Sequence, residues 1–396
     1  MKLTQQSINN FFFINNNYKH LLNYTFHPKV KVVFKNLYEI IHQSFKKYNN
    51  LFLYLPSNNP FIKKTTYSNN NIVYPSSFID SVFPFEAINY IKNNVKHQFC
   101  YTFIIKGRKI NIYISRSNID YHFVVEKIIM WLHILSLFSS HKCSQELSIY
   151  LYLTPLKKHL PNKGDSDIID WINVNSAFTR TCRPKSEIVI YRQEEWFKVF
   201  IHETFHCFGL DFSHLDETMN SVNNHMRQIF NVNVEISLFE SYTEFWAELL
   251  NSMFFAYLDN PHLRTDYKKF IGVLEHLVNY HRVHCALTMN KILAFQNITY
   301  DMLINHKTNY KENTNVIAYF VIKTLLFIHF NEMIFFCNSV NKENIIQFRH
   351  NLETIEAFCV FIKEIYNSNL TIFLFSHLKY NYENNWIQMD LFDFIF

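Results

Sequence analysis

Glycine is scarce, with four residues in a chain of 396. No G-x-x-x-x-G-K-[ST], G-x-G-x-x-G or G-x-S-x-G pattern occurs, so P-loop NTPase, dinucleotide-binding and α/β-hydrolase chemistry have no sequence basis here. Cysteine is also thinly used. The seven residues, an odd number, are widely spread and contain no C-x-x-C pair. That pattern favours reduced thiols in a cytosol-like compartment over a disulfide scaffold. Long hydrophobic runs are missing too. The longest, "VIAYFVIKTLLFIHF" (316–330), is interrupted by Lys323 and His329. It is too short to span a bilayer and reads as a buried helix, so no membrane span is expected. The amino terminus, "MKLTQQSINNFFFINNN", lacks a basic stretch followed by a long apolar core, so no signal peptide is expected. The expected location is cytoplasmic. Charge of one sign is not concentrated either: the net charge is +5, and the basic spots "KVKVVFK" (29–35) and "FKKYNN" (45–50) are short and isolated. They read as solvated faces, and no nucleic-acid partner is expected.

Aromatic and aliphatic side chains are plentiful. Hydrophobic residues are 48% of the chain and aromatics 18%, which excludes a disordered protein. The 41 Phe and 24 Tyr, with abundant Asn, Lys and Ile, fit the codon bias of an AT-rich genome. The length suffices for two or three packed units. Residues 1–95 carry one helical pattern, "VKVVFKNLYEIIHQSFKKY", and the turn-rich "PSNNPFIKKTTYSNNN" (56–71). They read as an N-terminal extension or packing module. From Tyr101 the pattern predicts a hairpin around Gly107, a helix over "YHFVVEKIIMWLHILSLF", and strands at 148–154, 172–179 and 186–192. A helix begins near Glu194, and everything after Asn233 reads as helices. The expectation is an α+β fold: residues 96–210 form a mixed sheet plus one central helix, and 211–396 a helical half. Ligand sites in such chains often lie between the two halves.

The central helix contains "VFIHETFHCFGL" (199–210), which sets His202, Glu203 and His206 in an apolar run. Histidines four residues apart share one helix face and can bind one tetrahedral Zn²⁺, leaving room for a third ligand and a water. Glu203, beside the first histidine, is placed to take a proton from that water. Glu194 and Glu195 suit the positive end of the helix, and Gly209 its C-terminal cap. A second apolar helix, "FESYTEFWAELLNSMFFAYL" (239–258), carries Glu240, Glu244 and Glu248 on one stripe. Three like charges in line are costly to bury without a cation. Capping can account for Glu240 through Ser237 and for Glu244 through Ser241. It does not account for Glu248. Glu244 is favoured as the third ligand and Glu248 as its supporting carboxylate, with the other assignments open. His281 and His284 read as packing or solvent-facing residues, and Cys207 as core.

H-E-x-x-H followed by a glutamate on a later helix resembles the gluzincin metallopeptidases. With Glu244 as ligand, 37 residues lie between it and His206, a spacing similar to botulinum light chains and anthrax lethal factor. "TEFWAE" resembles the lethal factor's ligand segment, which implies Glu244 as ligand and Glu248 as support. "NSAF", Asn175, Ser176, Ala177 and Phe178, followed by "IVIYR", resembles the thermolysin-type edge strand that holds substrate by strand addition. The motif helix also resembles uncharacterised metallopeptidase-like proteins of large DNA viruses, which would place the chain in host cytoplasm or virion. The likeness covers about residues 170–250. The resemblance implies a zincin-like fold and a metalloendopeptidase with one Zn²⁺ per chain, acting on a protein or peptide substrate. The alternative is a catalytically silent zincin scaffold serving as an interaction or virion structural protein. Two departures stand out. Phe212 occupies the third-ligand position of a metzincin, which disfavours that class. No oxyanion-stabilising tyrosine aligns, and Tyr242, Tyr310 and Tyr319 are candidates without positional support.

Overall fold

The computed structural model describes residues 2–49, 62–68, 71–78, 83–116, 119–162, 164, 168–341, 344–378 and 385–395. Its elements in chain order are β1 (Lys2–Leu3), α1 (Gln5–Tyr18), α2 (Pro28–Tyr48), β2 (Ile62–Ser68), α3 (Phe85–Asn94), β3 (His97–Ile105), β4 (Arg108–Ile114), α4 (Tyr121–Leu135), β5 (Glu146–Thr154), α5 (Trp171–Val174), β6 (Ala177–Thr179) and β7 (Lys185–Arg192). There follow α6 (Trp196–Phe208), α7 (Asp216–Phe230), α8 (Leu238–Asp259), α9 (Tyr267–Phe295) and α10 (Tyr300–Asn305). A π-helical turn (Ile317–Ile322) leads into α11 (Lys323–Ile328), then α12 (Phe330–Val340), α13 (Leu352–Ile365), α14 (Asn369–His377) and β8 (Phe394–Ile395).

Six strands form one mixed sheet in the order β2-β3-β4-β5-β7-β6. β2, β3 and β4 are antiparallel, β4, β5 and β7 are parallel, and β6 returns antiparallel along β7 as an edge. Alternation along the strands divides the two faces. Ile149, Leu151, Ile188 and Ile190 join the large core under the helices, while Tyr150, Tyr152, Val189 and Tyr191 pack with Phe83 and Ile91 on the other face. The large core runs from Ile14 and Phe34 through α6 and α8 to Phe358, so α1 and α2 share it with the C-terminal helices. Among the described residues no single helix is long and apolar enough to cross a membrane.

The hairpin at Gly107 forms as its residues dictate. Lys106 and Gly107 both have positive φ, 47° and 80°, which a two-residue turn between twisted strands requires. Other expectations need correction. The turn-rich stretch contains the edge strand β2, paired to β3 from Ile62↔Phe103 to Ser68↔His97; the rest of 56–61 lies outside the described residues. The strand expected over 172–179 begins only at Ala177. Asp170 and Asn173 instead build a capping box around α5, so local side-chain bonds to the backbone win over extension. The central helix starts at Trp196, after Glu195 in the left-handed region at φ 57°. Nor do the cysteines all stay reduced: Cys143 and Cys182 form a disulfide, Cα–Cα 4.8 Å, and five others are free and buried. Parallel pairing of β5 with β7, starting at Glu146↔Lys185, brings the loops before these strands together. Spacing in sequence carries no sign of it.

Gly209 caps α6 with φ 66°, and its N–H bonds to the His206 carbonyl at 3.1 Å. An added Cβ would lie 3.3 Å from Cys143 Sγ. Gly209→Ala is therefore expected to cost about 1–2 kcal/mol for the left-handed conformation, read as a lowered thermal midpoint. An unchanged midpoint would refute this cap geometry.

Candidate metal centre

Helix α6 is buried on every side, with all of its residues from Trp196 to Phe208 shielded. An α-helix that is apolar all round belongs in a core, and here β7 and β6 lie along one flank and α8 along another. His202 and His206 share the flank toward α8. Their Nε2 atoms are 3.0 Å apart. The first turn of α8 brings Glu240 over them, with Oε2 3.1 Å from His202 Nε2 and 3.4 Å from His206 Nε2. Donors bonded at ~2.0–2.1 Å to a tetrahedral Zn²⁺ stand ~3.3 Å from one another. The three separations match that figure, and the group can hold a metal ion.

The surroundings fix which atoms point inward. His202 Nδ1 donates to Glu244 Oε2 at 2.8 Å, and His206 Nδ1 donates to Asp211 Oδ2. With both Nδ1 hydrogens committed, the Nε2 lone pairs converge on one point. Asp211 is itself held by Ser213 Oγ at 2.7 Å and Thr243 Oγ1 at 3.3 Å. Asn315 Nδ2 donates to Glu240 Oε1 at 3.2 Å, leaving Oε2 buried with no hydrogen bond of acceptable geometry. An orphaned carboxylate oxygen facing two imidazole lone pairs is an arrangement that a cation satisfies. Electrostatics agree. Burial alone lowers the His202 imidazole, yet Glu240 and Glu244 outweigh it and hold it up to about 9. Burial alone raises the Glu240 carboxyl, yet His206 and His202 hold it down to about 2. The cluster calls for positive charge, from protons or from a metal.

Where the expected residues stand is mixed. His202, Glu203 and His206 line one cavity of about 190 Å³, together with Asn175, Ser176, Ala177 and Phe178 of the edge segment. Glu203 has no hydrogen-bond partner among the described residues, and burial raises its carboxyl above the usual range. The acidic stripe shifts by one turn from the expectation. Glu240, not Glu244, joins the histidines, because its Oε2 lies within 3.4 Å of both Nε2 atoms. Glu244 sits one turn on, reaching only the far nitrogen of His202 and, at 2.6 Å, the ammonium of Lys198. Neither capping alternative forms: Ser237 makes no cap bond, and Ser241 Oγ donates to the Leu238 carbonyl.

Glu248 does not support Glu244. Two turns along from the metal cluster, it accepts from Lys323 Nζ at 2.8 Å and bonds His281 Nε2 at 2.6 Å. Glu248, His281 and Cys285 form a second group with metal-like spacing, but the Lys323 ammonium already lies 3.4 Å from Cys285 Sγ and supplies the cation there. His281 is therefore a polar core residue. Phe212 is core, its ring tilted against that of Phe348 with centroids 4.2 Å apart. Tyr242 bonds the Ile346 carbonyl and Tyr310 bonds Glu312, whereas Tyr319 lines the cavity with its ring 6.0 Å from His202. Asp211, Asn315 and Lys198 were not assigned from sequence. Only Asp211 left a trace, five residues after His206 and just beyond the glycine cap. Comparisons with protein-family models, curated proteins and solved structures return no match.

Removing a metal-bonding side chain differs in kind from removing one that orients it. Glu240→Ala, His202→Ala and His206→Ala are expected to abolish stoichiometric Zn²⁺ binding. Glu244→Ala and Asp211→Ala should weaken it by ~10–100-fold. Competition against a chromophoric chelator ranks them, and Glu244→Ala falling below Glu240→Ala would move the ligand back by one turn.

Proposed function

We propose that the chain is a zinc-dependent endopeptidase of gluzincin type, with a zincin-like fold in which His202, His206 and Glu240 hold Zn²⁺. The observation that carries this reading is a buried carboxylate, Glu203, beside the His202–His206–Glu240 cluster, sharing one cavity with an edge strand that pairs with no other strand on its outer side among the described residues. Bound zinc supplies Lewis acidity, polarising a carbonyl and lowering the pKa of a water. Glu203, with no hydrogen-bond partner among the described residues, lines the cavity, where it would accept a proton from a water and pass it to the leaving amine. A purely structural metal site has no use for such a base. The outer edge of β6 pairs with no strand among the described residues, so Ala177–Thr179 offers backbone groups to an extended peptide. Tyr319 supplies a phenol at the cavity wall. Burial raises it well above the usual tyrosine value, so it stays protonated and able to donate to a developing oxyanion. Its place on a π-helical turn is in keeping, since such turns frequently occur at functional sites.

Glu203→Gln keeps size and shape but cannot accept a proton. Zinc content and thermal midpoint are expected to stay near wild type, while hydrolysis of a peptide library falls by at least ~10²-fold. Tyr319→Phe is expected to lower kcat by a similar factor. A zinc-loaded, folded wild type that cleaves nothing returns the chain to the silent-scaffold reading. A Gln variant as fast as wild type removes Glu203 from the mechanism.

A further inference from the structure

Glu240 and Glu248 lie two turns apart on α8, and each meets a nitrogen donor from the segment that runs from Tyr310 into α11. The donors differ in charge. Lys323 gives Glu248 an ammonium, with Nζ 2.8 Å from Oε1. Asn315 gives Glu240 a neutral amide, with Nδ2 3.2 Å from Oε1. A carboxylate only accepts, so this contact fixes which end of the amide faces Glu240. With Oε1 engaged, Oε2 is turned to the Nε2 atoms of His202 and His206, at 3.1 and 3.4 Å. An amide orients the carboxylate and leaves its charge intact for a cation, whereas an ammonium in the same place cancels it.

The backbone that presents Asn315 is tied on both sides. The Asn313 N–H donates to the Ile169 carbonyl at 3.0 Å. Glu312 Oε2 accepts from the Ile317 N–H at 2.8 Å and from the Tyr310 hydroxyl at 2.6 Å. An amide on so restrained a segment has little freedom left to lose when it orients a neighbour. The Asn315 carbonyl accepts from the Tyr319 N–H at 2.9 Å, which sets amide and phenol one turn apart at the wall of the histidine cavity. Burial and then the Glu240 charge push the Tyr319 phenol up, and the Asn315 side chain opposes them by donating toward its oxygen. A phenol oxygen engaged in this way keeps its own hydrogen for an acceptor in the cavity.

We propose that Asn315 is a positioning residue shared by the metal cluster and the oxyanion donor: its neutral amide aims Glu240 at the two imidazoles and holds the Tyr319 phenol beside the same carboxylate. The proposal rests on the endopeptidase reading and adds a residue to that site. Full-length N315A and N315K are compared with wild type for Zn²⁺ affinity, by competition with a chromophoric chelator, and for thermal midpoint without metal. N315A is expected to bind Zn²⁺ ~10–100-fold more weakly. N315K sets an ammonium against Glu240, as Lys323 is set against Glu248. It is expected to bind no stoichiometric Zn²⁺ while its metal-free midpoint stays at or above that of wild type. At saturating Zn²⁺, N315A should lower kcat on a cleaved peptide by about 10-fold with KM unmoved, the worth of one hydrogen bond. In a Y319F background it should lower kcat by no more than about 2-fold, because the phenol it acts through is gone. A side chain that only supports the fold would lower the midpoint, and its effect would multiply with that of Y319F. Wild-type Zn²⁺ affinity in N315A, stoichiometric Zn²⁺ in a folded N315K, or kcat losses that multiply overturns the proposal and leaves the Glu203 test intact. If wild type binds Zn²⁺ and cleaves nothing, the endopeptidase reading falls and the two Zn²⁺ comparisons alone decide the role of Asn315.

Discussion

Helices α6 and α8 bury ionisable groups against one another in an interface that is otherwise apolar. Lys198, His202 and His206 on one side meet Glu240 and Glu244 on the other, with Asp211 closing the end. A buried charge without a partner costs several kcal/mol, so these groups are stable only as a set. Lys198 shows how tightly they are linked. Burial disfavours its ammonium, yet Glu244 and Glu195 raise it well above the usual lysine value. Glu195 extends the set to Lys158 and to the backbone N–H groups of Met389 and Asp390, both of which donate to it. The carboxyl-terminal segment is thus part of the support for α6. Its bonds also offset the left-handed backbone of Glu195, a conformation that costs a non-glycine residue of order 1–3 kcal/mol.

Two clusters on α8 show why composition alone does not make a metal site. Both contain one of its glutamates, a histidine and another donor at ligand spacing. In one, a lysine from α11 enters the group and neutralises the carboxylate. In the other, the nearest lysine is taken by Glu244, and Glu240 is left with an unbonded oxygen and two imidazole lone pairs. The position of one ammonium separates a closed polar core from an open cation site.

The sheet edge is the other organising feature. β6 is three residues long, set apart from α5 by a capping box and from β7 by a disulfide-tied loop. Short, twisted edges resist adventitious pairing. This one lies beside the cavity, so its outer edge and the histidine–glutamate cluster face the same space.

H-E-x-x-H places two imidazoles and a carboxylate on one helical turn wherever that helix lies, so the candidate ligand pair and the candidate base were legible in the sequence. So were the hairpin at Gly107, the strands over 148–154 and 186–192 and the helical second half, because period and turn chemistry are local. The third member of the cluster was not. Glu240, Glu244 and Glu248 recur every turn on one stripe, and helical spacing makes them equivalent. Only the way α8 lies along α6 and α11 decides which of them reaches Nε2, which reaches Nδ1, and which meets Lys323 instead. The same holds for Asp211, Asn315, Tyr319 and the Cys143–Cys182 bond, whose partners lie on distant elements. The sequence determined what chemistry was on hand, because residue type and helical period travel with the chain. Packing decided which atoms share a site, because contact between elements depends on how their surfaces fit and where their buried charges find opposite ones.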